Sequence, residues 1–179
     1  VAVWMAGAVV CAAMLVRQQR RYLQSLTRTP QGWRSPHGSS PALLGVLRPR
    51  VVLPADFEAR YDAQEQALVL AHEHTHQRRY DNAWNLLATA LLLMHWFNPL
   101  AWLAGHRMRA DQELSCDDAV VRRQPASVHA YVRALAKAQP GTSALWASPW
   151  ASVHPLIERI RMLTIHRSSP TRRRAGMVG

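Results

Sequence analysis

Cysteine is scarce. Only Cys11 and Cys116 occur in 179 residues, one in an apolar run and one in a helical pattern. That usage argues against a disulfide framework and fits a reducing compartment. Acidic side chains are also few, 11 against 22 lysines and arginines. The net charge of +11 and pI near 11.3 predict attraction to something anionic, such as lipid headgroups, nucleic acid or an acidic protein. Neither zinc-finger nor helix-turn-helix spacing accompanies that charge, so no direct nucleic-acid contact is expected. No internal repeat is visible. An initiating methionine is missing too, since the chain begins at Val1, as a fragment of a longer protein would. What remains is long enough for one domain with a core.

Two long stretches lack charge. The first, VAVWMAGAVVCAAMLV, occupies residues 1–16 and is followed by RQQRRY. It is short of the ~20 residues of a full span, although the run can begin earlier in a longer protein. A cleaved signal peptide carries its basic residues before the apolar stretch, and here Arg17, Arg20 and Arg21 come after it. Residues 1–16 therefore read as a transmembrane helix with its basic end in the cytoplasm, rather than as a buried soluble helix.

Residues 17–41 read as a basic juxtamembrane segment and loop, the part from 28 to 41 being rich in Pro, Gly and Ser. ALLGVLRPRVVLP (42–54) predicts two short strands joined irregularly at Pro49. Asp62 with Glu65 forms a capping-box pattern, so a helix should run over 63–80. Further helices are expected over 82–95, 100–122 and 127–139, the last with Ser127 as N-cap, and after Pro155. The fold class is mainly α with a small β element (α+β), the domain proper covering 42–165 and a basic tail 166–179.

Within the first of these helices lies AHEHTHQRRYDN (71–82). His72 and His76 are four apart, so both imidazoles share one helical face and can meet one metal ion. Glu73 is displaced about 100° around the helix, placed for a general base and not a ligand. This is the H-E-x-x-H arrangement of zinc peptidases. The composition predicts only about 0.01 chance matches to it. His74 points about 200° from its neighbours and reads as a polar residue. A strand would instead place His72, His74 and His76 together on one face.

RADQELSCDDAV (109–120) supplies a third ligand. Glu113 and Asp117 are also four apart, the natural division being Glu113 on the metal and Asp117 accepting a hydrogen bond from a ligand histidine. Two histidines and one glutamate leave a fourth position open, as catalytic zinc requires. Cys116 between them reads as a small buried packing residue, the alternative being a thiolate ligand.

The second uncharged stretch, NLLATALLLMHWFNPLAWLAG (85–105), lies between His76 and Glu113. One bilayer crossing there would place the ligands on opposite sides. Asn98-Pro99 breaks the helix after about 14 residues, or ~21 Å, short of a ~30 Å hydrocarbon core. The stretch therefore reads as a helical hairpin that turns at residues 96–99 and returns Glu113 to the histidines.

HEHTHQRRYDNAWNLL and LLMHWFNPLAWLAGHRMRADQELSCDDAVV together resemble the membrane zinc peptidases of the BlaR/MecR type. The likeness runs from PALLGVLRPRVVLP to the RI near residue 160, with Asp81, Asn85, the FNP break and E-x-x-C-D as its specific parts. It implies a gluzincin-like fold, with zinc on His72, His76 and Glu113 and with Glu73 as base. It also implies an inner-membrane protein, multi-pass in full length, whose catalytic domain faces the cytoplasm. In such transducers an outside signal triggers cleavage inside, and a DNA-binding repressor is inactivated. The sequence contains no penicillin-binding sensor. For the tetrahedral oxyanion, His106, Arg109 and His129 are candidates. Strand region 42–53 could hold an extended peptide by backbone pairing. A catalytically inactive, zinc-stabilised membrane regulator is the rival reading, and Glu73 argues against it because structure alone does not need that residue.

Overall fold

The computed structural model describes residues 1–30, 32–138 and 155–165. The expected basic tail 166–179 lies outside them. The architecture is mainly helical with one small sheet, as the sequence predicts. Helix α1 (Ala2–Ser25) carries the apolar run and continues unbroken through the arginine cluster. It is long and apolar enough to cross a membrane.

Strands β1 (Thr27–Thr29) and β2 (Gly32–Ser35) follow, then β3 (Ala42–Leu44) and β4 (Arg50–Pro54). The sheet order is β1-β2-β4-β3, with β2 and β4 parallel and the outer pairs antiparallel. The β1–β2 hairpin corrects the expectation of a loop over 28–41. Pro30 and Gly32 lie at its turn and Pro36 just beyond β2, so the breakers bound the strands and do not interrupt them. Gly32 has φ +126°, a conformation that L side chains rarely adopt. β3 and β4 form the expected pair, Leu43 opposite Val51, with Gly45 at φ +96° opening the turn that contains Pro49.

After the short α2 (Phe57–Arg60) comes α3 (Ala63–Arg78). Its capping box forms as the spacing predicts. Asp62 Oδ1 accepts from the Glu65 amide at 2.8 Å, and Glu65 Oε2 accepts from the Asp62 amide at 3.0 Å. The fully buried Glu65 carboxylate also binds Lys137 Nζ at 2.5 Å, which ties α3 to α6. Only Arg79 and Tyr80 separate α3 from α4 (Asp81–Met94). Tyr80 sits at φ 56°, a strained conformation for a side chain of this kind. It lets α4 begin at once, beside the last turn of α3. α5 (Pro99–Arg123) starts with Pro99 in its first turn and Asn98 as cap, the Asn98 side chain accepting from the Leu100 amide at 2.9 Å. α6 (Val128–Lys137) follows a 3-10 turn over Pro125–Ser127, and α7 (Pro155–Ile165) completes the described chain. Ser127 makes no cap hydrogen bond and instead accepts from Gln64 Nε2 at 3.3 Å, because the 3-10 turn already leads into α6.

The core lies between α3, α5, α6 and α7. Leu68, Val120, Tyr131, Leu135 and Leu163 bury one another there. A second cluster of Phe57, Tyr61, Val69 and Ala134 sits between α2, α3 and α6. The same face of α3 that contributes Leu68 and Val69 continues into His72, so core packing fixes the histidines in place.

Candidate metal centre

The segment carrying the three histidines is helical, which removes the strand reading. His74 is exposed on the far side, while His72 and Glu73 are buried. His72 Nε2 and His76 Nε2 lie 3.0 Å apart. α5 returns from its turn and brings Glu113 to both, with carboxylate oxygens 3.4 Å from His72 Nε2 and 3.4 Å from His76 Nε2. Tetrahedral ligands at ~2.0–2.1 Å from a zinc ion would stand ~3.3 Å from each other. Two imidazole nitrogens and one carboxylate at this spacing fit a single ion. The Glu113 side chain is 38% exposed and the two histidines are nearly covered, so the centre opens on the glutamate side.

The other ring nitrogens face acceptors. Tyr131 Oη donates to Asp117 Oδ1 at 2.6 Å, so its oxygen is left to accept from His72 Nδ1–H at 2.8 Å. Asp117 Oδ1 itself is 3.2 Å from that nitrogen. His76 Nδ1–H donates to Asp81 Oδ2 at 2.7 Å. Both rings thereby carry hydrogen on Nδ1, which leaves the Nε2 of each to a metal at the shared point. Asp81 is available because α4 starts immediately after Tyr80, and its carboxylate in the first turn is favoured by the helix dipole.

Arg159 of α7 completes the surroundings. Its Nε and Nη2 donate to the two oxygens of Asp117, each at 2.7 Å, while Nη1 stands 3.0 Å from Glu113 Oε2. Burial alone would raise the Asp117 carboxyl, but Arg159 and His72 hold it below its usual range. Burial also opposes ionisation of Glu113, and His72, His76 and Arg159 overcome it and keep it well below that range. Burial lowers the histidines, but the acidic partners win. His72 is raised by Asp117 and Glu113, and His76 is raised to about 11 by Cys116 and Glu113. Glu73 is different. Burial pushes its carboxyl up, offset in part by the two histidines. Among the described residues it makes no hydrogen bond or ion pair.

Cys116 is fully buried, with Sγ 3.4 Å from His76 Nδ1 and 3.6 Å from Asp81 Oδ2. His76, Asp81 and Cys116 thus form a second group of potential ligand atoms. Burial raises the thiol, and the His76 N–H already points at Asp81, so this cluster is built to orient His76. Of the oxyanion candidates, His129 is exposed and His106 half-buried. Neither joins the cluster through a hydrogen bond or ion pair among the described residues. Arg109 is half-buried one helical turn before Glu113. Asn82 donates to the carbonyls of Leu43 at 3.0 Å and Gly45 at 2.7 Å, fixing β3 to the start of α4 and occupying part of the edge that could pair with a peptide.

The sequence alone assigns no role to Asp81, Tyr131 or Arg159. Asp81 is part of the resemblance without a stated function, and Tyr131 and Arg159 lie in ordinary helical patterns.

The family model described as BlaR1 peptidase M56 matches residues 1–163. The chain belongs to the BlaR1 peptidase M56 family. It is 35% identical over 137 residues to the regulatory protein BlaR1 of Bacillus licheniformis, covering 74% of this chain and 22% of that protein. It is 26% identical over 83 residues to the methicillin resistance mecR1 proteins of Staphylococcus aureus and Staphylococcus epidermidis, covering 46% of this chain and 14% of theirs. The chain therefore spans about a fifth of the length of the first of these relatives. No solved structure matches it significantly. The matched M56 residues contain the whole of the centre, from His72 to Arg159.

Proposed function

We propose that this chain is the catalytic part of a membrane-bound zinc endopeptidase acting in signal transduction, with the centre facing the cytoplasm. The observation that carries the reading is the convergence of His72 Nε2, His76 Nε2 and Glu113 at ligand spacing, with the buried Glu73 beside them. Family membership supports peptidase chemistry. The arginines that follow the apolar part of α1 support the orientation.

His72, His76 and Glu113 would hold the zinc. When bound, zinc supplies Lewis acidity, polarising the scissile carbonyl and acidifying water. Glu73 takes the proton of the attacking water and delivers it to the leaving amine. Burial raises its carboxyl toward the working pH, which suits a group that must accept and then release a proton. Asp117, through Tyr131, and Asp81 keep the two imidazoles in the tautomer that ligation needs. Arg159 restrains Asp117 and Glu113 together. For the developing oxyanion, Arg159 is the cation placed at the centre, 3.0 Å from Glu113, and Arg109, His106 and His129 are the weaker candidates. The substrate would be a cytoplasmic regulator or repressor, by analogy with the relatives named for regulation and methicillin resistance.

The test is Glu73→Gln in the purified chain, followed by mass spectrometry of a peptide library. The variant should retain zinc and lose at least about a hundredfold in cleavage rate. Undiminished cleavage would remove Glu73 from its role. Zinc binding with no cleavage by either form would favour the inactive, zinc-stabilised regulator.

A further inference from the structure

The α4–α5 hairpin presents an apolar surface that nothing among the described residues covers. Between Ala83 and Gly105 there is no Asp, Glu, Lys or Arg. Leu87, Leu91, Met94, Phe97, Leu100 and Leu103 are all exposed, Phe97 by 61% and Leu100 by 69% at the tip. An exposed patch of this extent marks contact with a protein or a membrane.

Which of these it meets is decided by how the tip is built and where it sits. Trp4 Nε1 of α1 donates to Met94 O at 3.0 Å, and Trp96 Nε1 donates back to Trp4 O at 3.1 Å. A Cβ at Gly7 would collide with the Trp96 ring, so α1 and the tip are in close contact. The start of α1 is thus pinned to the far end of α4. At its other end, Tyr22 comes within electrostatic reach of Glu73. The two helices run in opposite directions. Trp4 and Arg17 are thirteen residues apart, which is about 20 Å along the helix. The tip therefore stands about 20 Å beyond the level of Arg17, against a hydrocarbon core of ~30 Å.

Non-helical backbone survives at such depth only if its polar groups are satisfied internally. Here they are. Met94 O accepts from Trp4, and Trp96 O accepts from Trp102 Nε1 at 2.7 Å. His95 O accepts from the Asn98 amide at 2.9 Å, and Asn98 O from the Ala101 amide at 3.1 Å. The Leu100 amide donates to the Asn98 side chain. Indole N–H groups thus do at this turn what water does at a soluble one. At the opposite level, Arg17, Arg20 and Arg21 are exposed and suited to anionic headgroups.

We infer that the α4–α5 hairpin is a re-entrant membrane element whose tip, Trp96–Leu100, rests in the hydrocarbon of the bilayer that α1 crosses, in direct contact with lipid. Both ends of the hairpin then return to one face of the membrane, where His76 and Glu113 meet. The inference rests on the membrane placement of α1 and is independent of catalysis.

The experiment places a nitroxide on Leu100→Cys in a Cys11→Ala background, the fully buried Cys116 being left in place. The chain is reconstituted in vesicles of phosphatidylcholine and phosphatidylglycerol. Collision with oxygen, which partitions into lipid, is compared with collision with a water-soluble nickel chelate. Val9→Cys on α1 and Leu47→Cys in the β3–β4 turn are the references. Circular dichroism checks the fold, and Phe97→Cys replaces Leu100→Cys should that variant lose helicity. The oxygen-to-nickel ratio at the tip should resemble that at Val9 and exceed that at Leu47 by at least about tenfold. A tip as open to nickel as Leu47 would overturn the inference. So would a tip shielded from both probes, which means a protein covers it. Val9 open to nickel would overturn the placement of α1 and the hairpin together, leaving the peptidase reading intact.

Discussion

Tyr131→Phe is the sharpest test of how the histidines are held. The substitution keeps the ring, which is 1% exposed in the core, and removes only the hydroxyl. Two hydrogen bonds go with it, one donated to the ionised Asp117 and one accepted from His72. A hydrogen bond to a charged group contributes about 1.5–3 kcal/mol. Asp117 keeps both contacts from Arg159, so it is not left unpaired, and the loss in folding stability should lie near the lower figure. Asp117 Oδ1 also lies 3.2 Å from His72 Nδ1 and can take over the orienting contact in part. Outer partners of ligand histidines typically change metal affinity by about 10–100-fold. Tyr131→Phe should therefore weaken zinc by about tenfold, and Asp81→Asn, which removes the carboxylate acceptor of His76, by nearer a hundredfold. Competition with a fluorescent chelator measures the affinities, and urea denaturation of the metal-free proteins measures the stabilities. Unchanged zinc affinity in both variants would refute the claim that these groups set the ligand tautomers.

Zinc affinity should also rise with pH. His76 is raised to about 11 in the metal-free fold, so at neutral pH the metal must displace its proton. Calorimetry in buffers of different ionisation enthalpy should show about one or more protons released per ion at pH 7, and pH-independent affinity would contradict this. The Asp117 carboxyl is depressed in the fold, so its contribution to stability is present above its ordinary pKa and is lost as pH falls through the folded value. Asp117→Asn should flatten that acid limb, and an unchanged limb would show that the Arg159 pair does not produce it. Leu68→Ala, in the core beneath the histidines, should cost about 2–5 kcal/mol in urea denaturation, and a cost under 1 kcal/mol would mean that α3 is anchored elsewhere.

Much of this arrangement was legible because it is local. Helical periodicity sets His72 above His76 and Glu113 above Asp117, and the capping box marks where α3 begins. Pro99 both ends the preceding segment and starts α5, so the return of Glu113 followed from chain length and the break. What the sequence hid is long-range. Tyr131 lies 59 residues from His72 and looks like any apolar residue of an amphipathic helix until its hydroxyl is seen between a carboxylate and an imidazole. Arg159 lies 42 residues from Asp117, on a helix whose docking no local pattern encodes. Asp81 depends on a left-handed Tyr80, which propensity disfavours. The β1–β2 hairpin looks like loop in the sequence because its turn residues dominate the composition.

The most direct measurement is zinc per chain in carefully purified protein, wild type against Glu113→Ala. The account predicts about one zinc in the wild type and markedly weaker binding in the variant, since the ion needs ligands from both flanks of the apolar hairpin. Absence of zinc in the wild type, or binding indifferent to Glu113, would contradict it.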